Sequence, residues 1–76
     1  MQYGAINIDK ETMGGTPVFS GTRVPVQTLF DYLEGGDKIT DFLDDFPSVN
    51  NAQVIAVLEM ASKTLTLEKV LNENFA

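Results

Sequence analysis

One stretch constrains this chain more than any other: "GGTPVFSGTRVPV", from Gly14 to Val26. It holds three of the six glycines and two of the three prolines. A regular helix does not cross such a run. Proline removes a backbone donor and clashes with the preceding turn, and glycine is entropically costly inside an element. The stretch therefore separates an N-terminal arm from whatever periodic segments follow. It is not a phosphate cradle of the G-x-x-x-x-G-K-[ST] kind. Gly15 and Gly21 are separated by five residues, Thr22 stands where the lysine is needed, and no G-x-G-x-x-G is present. The expected shape is a corner that turns through "SGTR" and launches a helix.

On the arm side, Ile6 and Ile8 alternate with Asn7 and Asp9, a short period-two strand signal. "PVFS", Pro17 to Ser20, reads as a second short strand between glycine turns. After Pro25 the period changes. Val26, Leu29, Phe30 and Leu33 fall at i, i+3, i+4 and i+7, which places them on one helix face. Pro25 suits the first helical position, and Gly35–Gly36 can end the helix in a left-handed turn. The first helix is predicted over 25–34. Asp37 is expected to cap the second, predicted over 38–46. Its stripe is Ile39, Phe42, Leu43 and Phe46, and Pro47 stops it. Asn50 with Gln53 resembles a capping box before a third helix over 51–64, marked by Val54, Val57, Leu58, Ala61 and Leu65. Glu59 and Lys63 form a favourable i, i+4 pair on it. A short amphipathic tail follows.

The pattern predicts a mainly α fold: a three-helix bundle of helix-turn-helix type with a short N-terminal β arm or hairpin. The 76 residues suffice for one domain. Within it, 1–24 is the arm and corner, 25–64 the bundle and 65–76 the tail. A core this small gains from a partner, so a homodimer is an expected association. There is no basic, apolar leader and no run long enough to span a membrane, so neither a secreted nor a membrane protein is expected. The absence of cysteine suits a cytoplasmic location.

Enzyme activity is not expected. The chain has neither histidine nor cysteine, which removes the commonest base, thiol nucleophile and metal ligands. Asp41, Asp44 and Asp45 read as a solvated helix face rather than a cation site, because adjacent residues on a helix point apart. No metal or cofactor is expected. Net charge is −6, which repels phosphate backbones and attracts basic partners. As a DNA reader the chain would use the start of its third helix, Asn50, Asn51 and Gln53, whose amides match adenine edges. No Lys or Arg occurs from Thr40 to Ser62, so DNA is expected to bind only weakly, or with a partner that adds basic surface.

Three features point to a protein partner. Asp44 and Asp45 lie in the last turn of the second helix, at the negative end of its dipole, where each costs a few tenths to about 1 kcal/mol. Arg23 lies just before the positive end of the first helix. It either pairs with a carboxylate of its own chain or is held out for a partner, and alanine there is expected mainly to destabilise the fold. Leu67, Val70, Leu71 and Phe75 can fold back, dimerise or enter a partner groove.

Taken in order, "GGTPVFSGTRVPV", "LEGGD" and "DFPSVNNAQVIAVLEMA" resemble the small prokaryotic family known as domain of unknown function 433. The likeness runs from Ile6 to about Ala61, with Gly21, Thr22, Arg23, Pro25 and Val26 as its most specific part. In that family an acidic residue is common where this chain has Gln53. The resemblance implies a homeodomain-like three-helix fold with a β arm. It also implies a role as a VapB-like antitoxin, encoded beside a PIN-like ribonuclease toxin. It supplies no catalytic residues. The expected function is thus a non-enzymatic module of a toxin–antitoxin system that binds its cognate toxin. A helix-turn-helix transcriptional autoregulator is the alternative.

Overall fold

The computed structural model describes residues 2–11 and 13–67. Three short strands come first: β1 (Gln2–Tyr3), β2 (Ile6–Asn7) and β3 (Val18–Phe19). They form one antiparallel sheet in the order β1-β2-β3, with Tyr3 opposite Ile6 and Ile6 opposite Phe19. A single 3-10 turn at Met13–Gly15 lies on the way from β2 to β3. Three helices follow: α1 (Val26–Glu34), α2 (Ile39–Asp45) and α3 (Asn51–Leu65).

The predicted corner is a hairpin. Val18 bridges Pro25, Phe19 N–H donates to the Val24 carbonyl at 3.0 Å, and Val26 N–H donates to the Pro17 carbonyl at 3.0 Å. The loop between the two arms is Ser20-Gly21-Thr22-Arg23. Thr22 N–H returns to the Phe19 carbonyl at 3.0 Å, which closes a turn with Gly21 in its third place at φ +77°. That is the type II turn geometry, where a side chain would be strained and glycine is not. Because Pro25 is held extended by Val18, it is the cap of α1 rather than its first helical residue, and α1 begins one residue later than predicted. The hairpin also satisfies the first N–H of α1 through Pro17, a group that a helix leaves unpaired.

The helix ends follow the sequence closely. α1 ends in a Schellman motif: Asp37 N–H reaches the Tyr32 carbonyl at 2.9 Å and Gly36 N–H the Leu33 carbonyl at 3.1 Å, with Gly36 at φ +89°. The expectation that Asp37 caps α2 is corrected. The cap is Lys38, which has no side-chain acceptor to offer. Asp41 supplies the reaching-back half instead, its Oδ2 accepting from Lys38 N–H at 2.9 Å. In α3 both halves of the Asn50–Gln53 box are made, at 2.9 and 3.1 Å. Val49 before the cap and Val54 inside the helix are both buried in the same cluster, as in a hydrophobic staple.

The core is Val18, Phe19, Leu29, Phe42, Val49, Val54 and Val57. It draws on β3, all three helices and the α2–α3 loop. Phe42 is its hub: its ring lies 5.8 Å from Phe19, 5.5 Å from Tyr32 and 5.2 Å from Phe46. Full burial of each such side chain is worth about 1.5–3 kcal/mol, so the arm is bound to the helices chiefly through Phe19, with Ala5 and Ile6 packed against the same cluster. No helix among the described residues is long and apolar enough to cross a membrane.

Candidate partner-binding surface

The SGTR loop is fixed from several sides. Thr22 Oγ1 donates to the Phe19 carbonyl at 2.8 Å and accepts from Val24 N–H at 3.0 Å. Ser20 Oγ donates to the Gly4 carbonyl at 2.7 Å, and Ser20 N–H to the Ala5 carbonyl at 2.8 Å. The Ser20 carbonyl accepts from Gln53 Nε2 at 2.9 Å. So a loop of small and polar residues is tied to the β1–β2 turn below it and to the first turn of α3 beside it. Arg23 stands on this fixed loop. It is exposed and, among the described residues, has no ion pair or side-chain hydrogen bond. Of the two alternatives for Arg23, pairing within the chain is not seen among the described residues: the corner is held by Thr22, Ser20 and Gln53, and Arg23 is exposed.

Asn50, Asn51 and Gln53 come together at the start of α3. The Asn50 carbonyl oxygen and the whole Gln53 amide are engaged in the cap and in the contact with Ser20. Asn51 is exposed. A capping box was legible from spacing alone. The second partner of Gln53 was not, because it lies 33 residues away in sequence.

The α1–α2 segment is strongly negative. Asp31, Glu34, Asp37, Asp41, Asp44 and Asp45 are all exposed, against Lys38 as the one base between them. Asp44 points to solvent without an ion pair among the described residues. Asp45 has an internal role: its Oδ2 accepts from the Tyr32 hydroxyl at 2.6 Å, joining α2 to α1. That bond pushes the Tyr32 hydroxyl above its ordinary pKa near 10, because ionisation would lose a donor to a carboxylate. Burial, and then the charges of Asp45, Asp37 and Asp41, act in the same direction. The three aspartates therefore lie close enough to Tyr32 to repel its ionised form. Among the described residues, no group of three or more His, Cys, Asp or Glu is placed to hold a metal ion.

The third region is the end of α3. Among the described residues the large exposed hydrophobics are Met60, Leu65 and Leu67 there, with Leu65 at 65% and Leu67 at 57%, and Ile55 nearer the helix start. Val70, Leu71 and Phe75 lie outside the described residues. Met60 and Ile55 were not singled out from the sequence, because neither falls on the core stripe.

These features define a small domain of three helices, clasped by a β-hairpin arm, with exposed charged and apolar patches. The chain belongs to the family described as proteins of unknown function, DUF433, whose family model matches residues 6–61. The matched span covers the hairpin, all of α1 and α2, and most of α3. No curated protein and no solved structure matches the chain.

Proposed function

We propose that this domain is a non-enzymatic interaction module: the antitoxin of a type II toxin–antitoxin pair, acting in the cytoplasm on a basic, PIN-like ribonuclease. The observation that carries this reading is the charge on α1–α2. Six exposed carboxylates with a single lysine, in a chain of net charge −6, suit a positively charged RNA-binding surface. Asp44 is free to make that contact. Arg23 offers the opposite sign on a rigid loop, so a matching partner carries an acidic residue there, which fixes register. Leu67 is exposed, and in our reading Val70, Leu71 and Phe75, which follow it in the sequence, take part in binding a toxin or a second copy.

The test is co-expression with the product of the adjacent gene. A stable complex that suppresses ribonuclease activity is expected, and the charge-reversed Asp44→Lys variant should weaken it. No complex, or no nuclease encoded nearby, removes the proposal.

A second reading has one observation in its favour. Arg23, the only arginine of the chain, stands on the loop that Gln53 ties to the first turn of α3, where Asn51 is exposed. In a homeodomain-like helix-turn-helix that turn faces bases, so a DNA-binding autoregulator would use this end of the molecule. It predicts a mobility shift with its own promoter that weakens steeply with salt. Absence of a shift at low salt, with and without the partner, excludes it.

A further inference from the structure

α3 carries one apolar stripe: Val54, Val57, Leu58, Ala61 and Leu65. Val54 and Leu65 are separated by about three helical turns and so lie on nearly the same line. Yet Val54 is fully buried and Leu65 is 65% exposed, with Leu58 and Ala61 half-buried between them. The bundle covers the start of this line, and among the described residues nothing covers its end.

We propose that a second copy of this chain covers it, α3 against α3 and antiparallel, about a two-fold axis between Ala61 and Ser62. The segment "LEMASKTL", Leu58 to Leu65, has leucines at its ends and its two smallest side chains at its centre. Antiparallel about that centre, Leu58 of one copy meets Leu65 of the other, and Ala61 and Ser62 at the crossing let the backbones approach closely. Leu58, Ala61 and Leu65 are spaced three and four, which is the seam spacing of paired helices. A symmetric dimer needs a self-complementary patch, and this stripe is one.

Charge selects the occupant. Asn51 to Leu67 carries one acid, Glu59, and one base, Lys63. A second chain of net charge −6 meets no net repulsion along this face, whereas the carboxylates of α1–α2 repel it. A basic partner gains no attraction on α3 and is drawn to α1–α2 instead. Self-association and partner binding therefore use different surfaces, and the dimer does not depend on the antitoxin reading.

Sedimentation equilibrium of the full chain should show a concentration-dependent monomer–dimer equilibrium. Leu65→Lys should weaken it about a hundredfold, since both copies lose the leucine. Melting at low concentration should hold, because Leu65 makes little of the monomer core. The chain has no cysteine, so a single exposed Ser62→Cys reports directly on the axis. It should form a disulfide-linked dimer on mild oxidation much faster than Asp44→Cys. A chain that is monomeric at every concentration overturns the proposal. So does a dimer indifferent to Leu65→Lys, or one that cross-links better through Asp44→Cys.

Discussion

The two halves of α3 have the same apolar pattern and opposite fates. In the first half, Asn50 and Gln53 close the cap, Val49 and Val54 are buried in one core cluster, and Gln53 reaches across to Ser20. In the second half the stripe runs on through Ala61 to Leu65, and the core no longer reaches it. Periodicity specifies which face of a helix is apolar. It does not specify how far along that face the rest of the chain extends. The hairpin and the α1–α2 pair together cover about two turns, and the helix is longer than that.

The sharpest way to test the contrast is to remove the same kind of group from each half. Val54→Ala should cost about 2 kcal/mol in denaturant unfolding, because it leaves a cavity in the core cluster to which Phe19, Phe42 and Val57 also belong. Leu65→Ala, measured where the chain is monomeric, should change stability by no more than about 0.5 kcal/mol. Equal losses would mean that the end of α3 is packed after all.

Next in size, Gln53→Ala should cost about 1–2 kcal/mol, because it opens the capping box and leaves the Ser20 carbonyl without its donor. Gln53→Glu separates the two. A carboxylate still accepts from Asn50 N–H and suits a helix start, but cannot donate to Ser20. It should recover part of the loss, and full recovery in a melting experiment would show that the tie to the loop contributes nothing.

A smaller, pH-dependent effect is expected between α1 and α2. The pKa of Tyr32 is raised in the folded chain. The stabilisation from its bond to Asp45 is therefore complete below the unfolded tyrosine value, near pH 10. It is lost as pH rises through the higher folded value. Melting followed from neutral to strongly alkaline pH should show wild type and Tyr32→Phe differing at neutral pH and converging at the alkaline end. Curves that stay parallel would count against this bond.

The smallest effect is expected at Arg23, within the most specific part of the family resemblance. Arg23→Ala should alter stability by no more than about 0.5 kcal/mol, since Arg23 has no ion pair or side-chain hydrogen bond among the described residues. A large drop in melting temperature would show that Arg23 holds the corner.

Local chemistry was legible and distant pairing was not. Gly36 as a helix terminator, the Asn50–Gln53 box and the three apolar stripes all depend on neighbours within one or two turns, so spacing reveals them. β1 escaped notice because a two-residue strand has no pattern of its own and exists only through its pairing with β2. The corner was legible as a corner, but its hairpin pairing rests on Val18 and Pro25 lying opposite each other, which residue types alone do not specify. Asp45 looked like a free carboxylate for a partner. Its bond to Tyr32 needs α1 and α2 placed side by side, and no pattern within α2 encodes that. Arg23 was the reverse case: Thr22, Ser20 and Gln53 satisfy the loop between them, which leaves the arginine without a bond among the described residues.

The Gln53 side chain also bears on how the molecule opens. One amide group holds both the loop carbonyl of Ser20 and the backbone N–H of Asn50. The loop cannot swing away without freeing the donor that completes this contact, and the helix start cannot fray without releasing the loop. In amide hydrogen exchange the two segments should then behave as one cooperative unit. Thr22 and Gln53 amides would share a single opening free energy, and Gln53→Glu would split it into two.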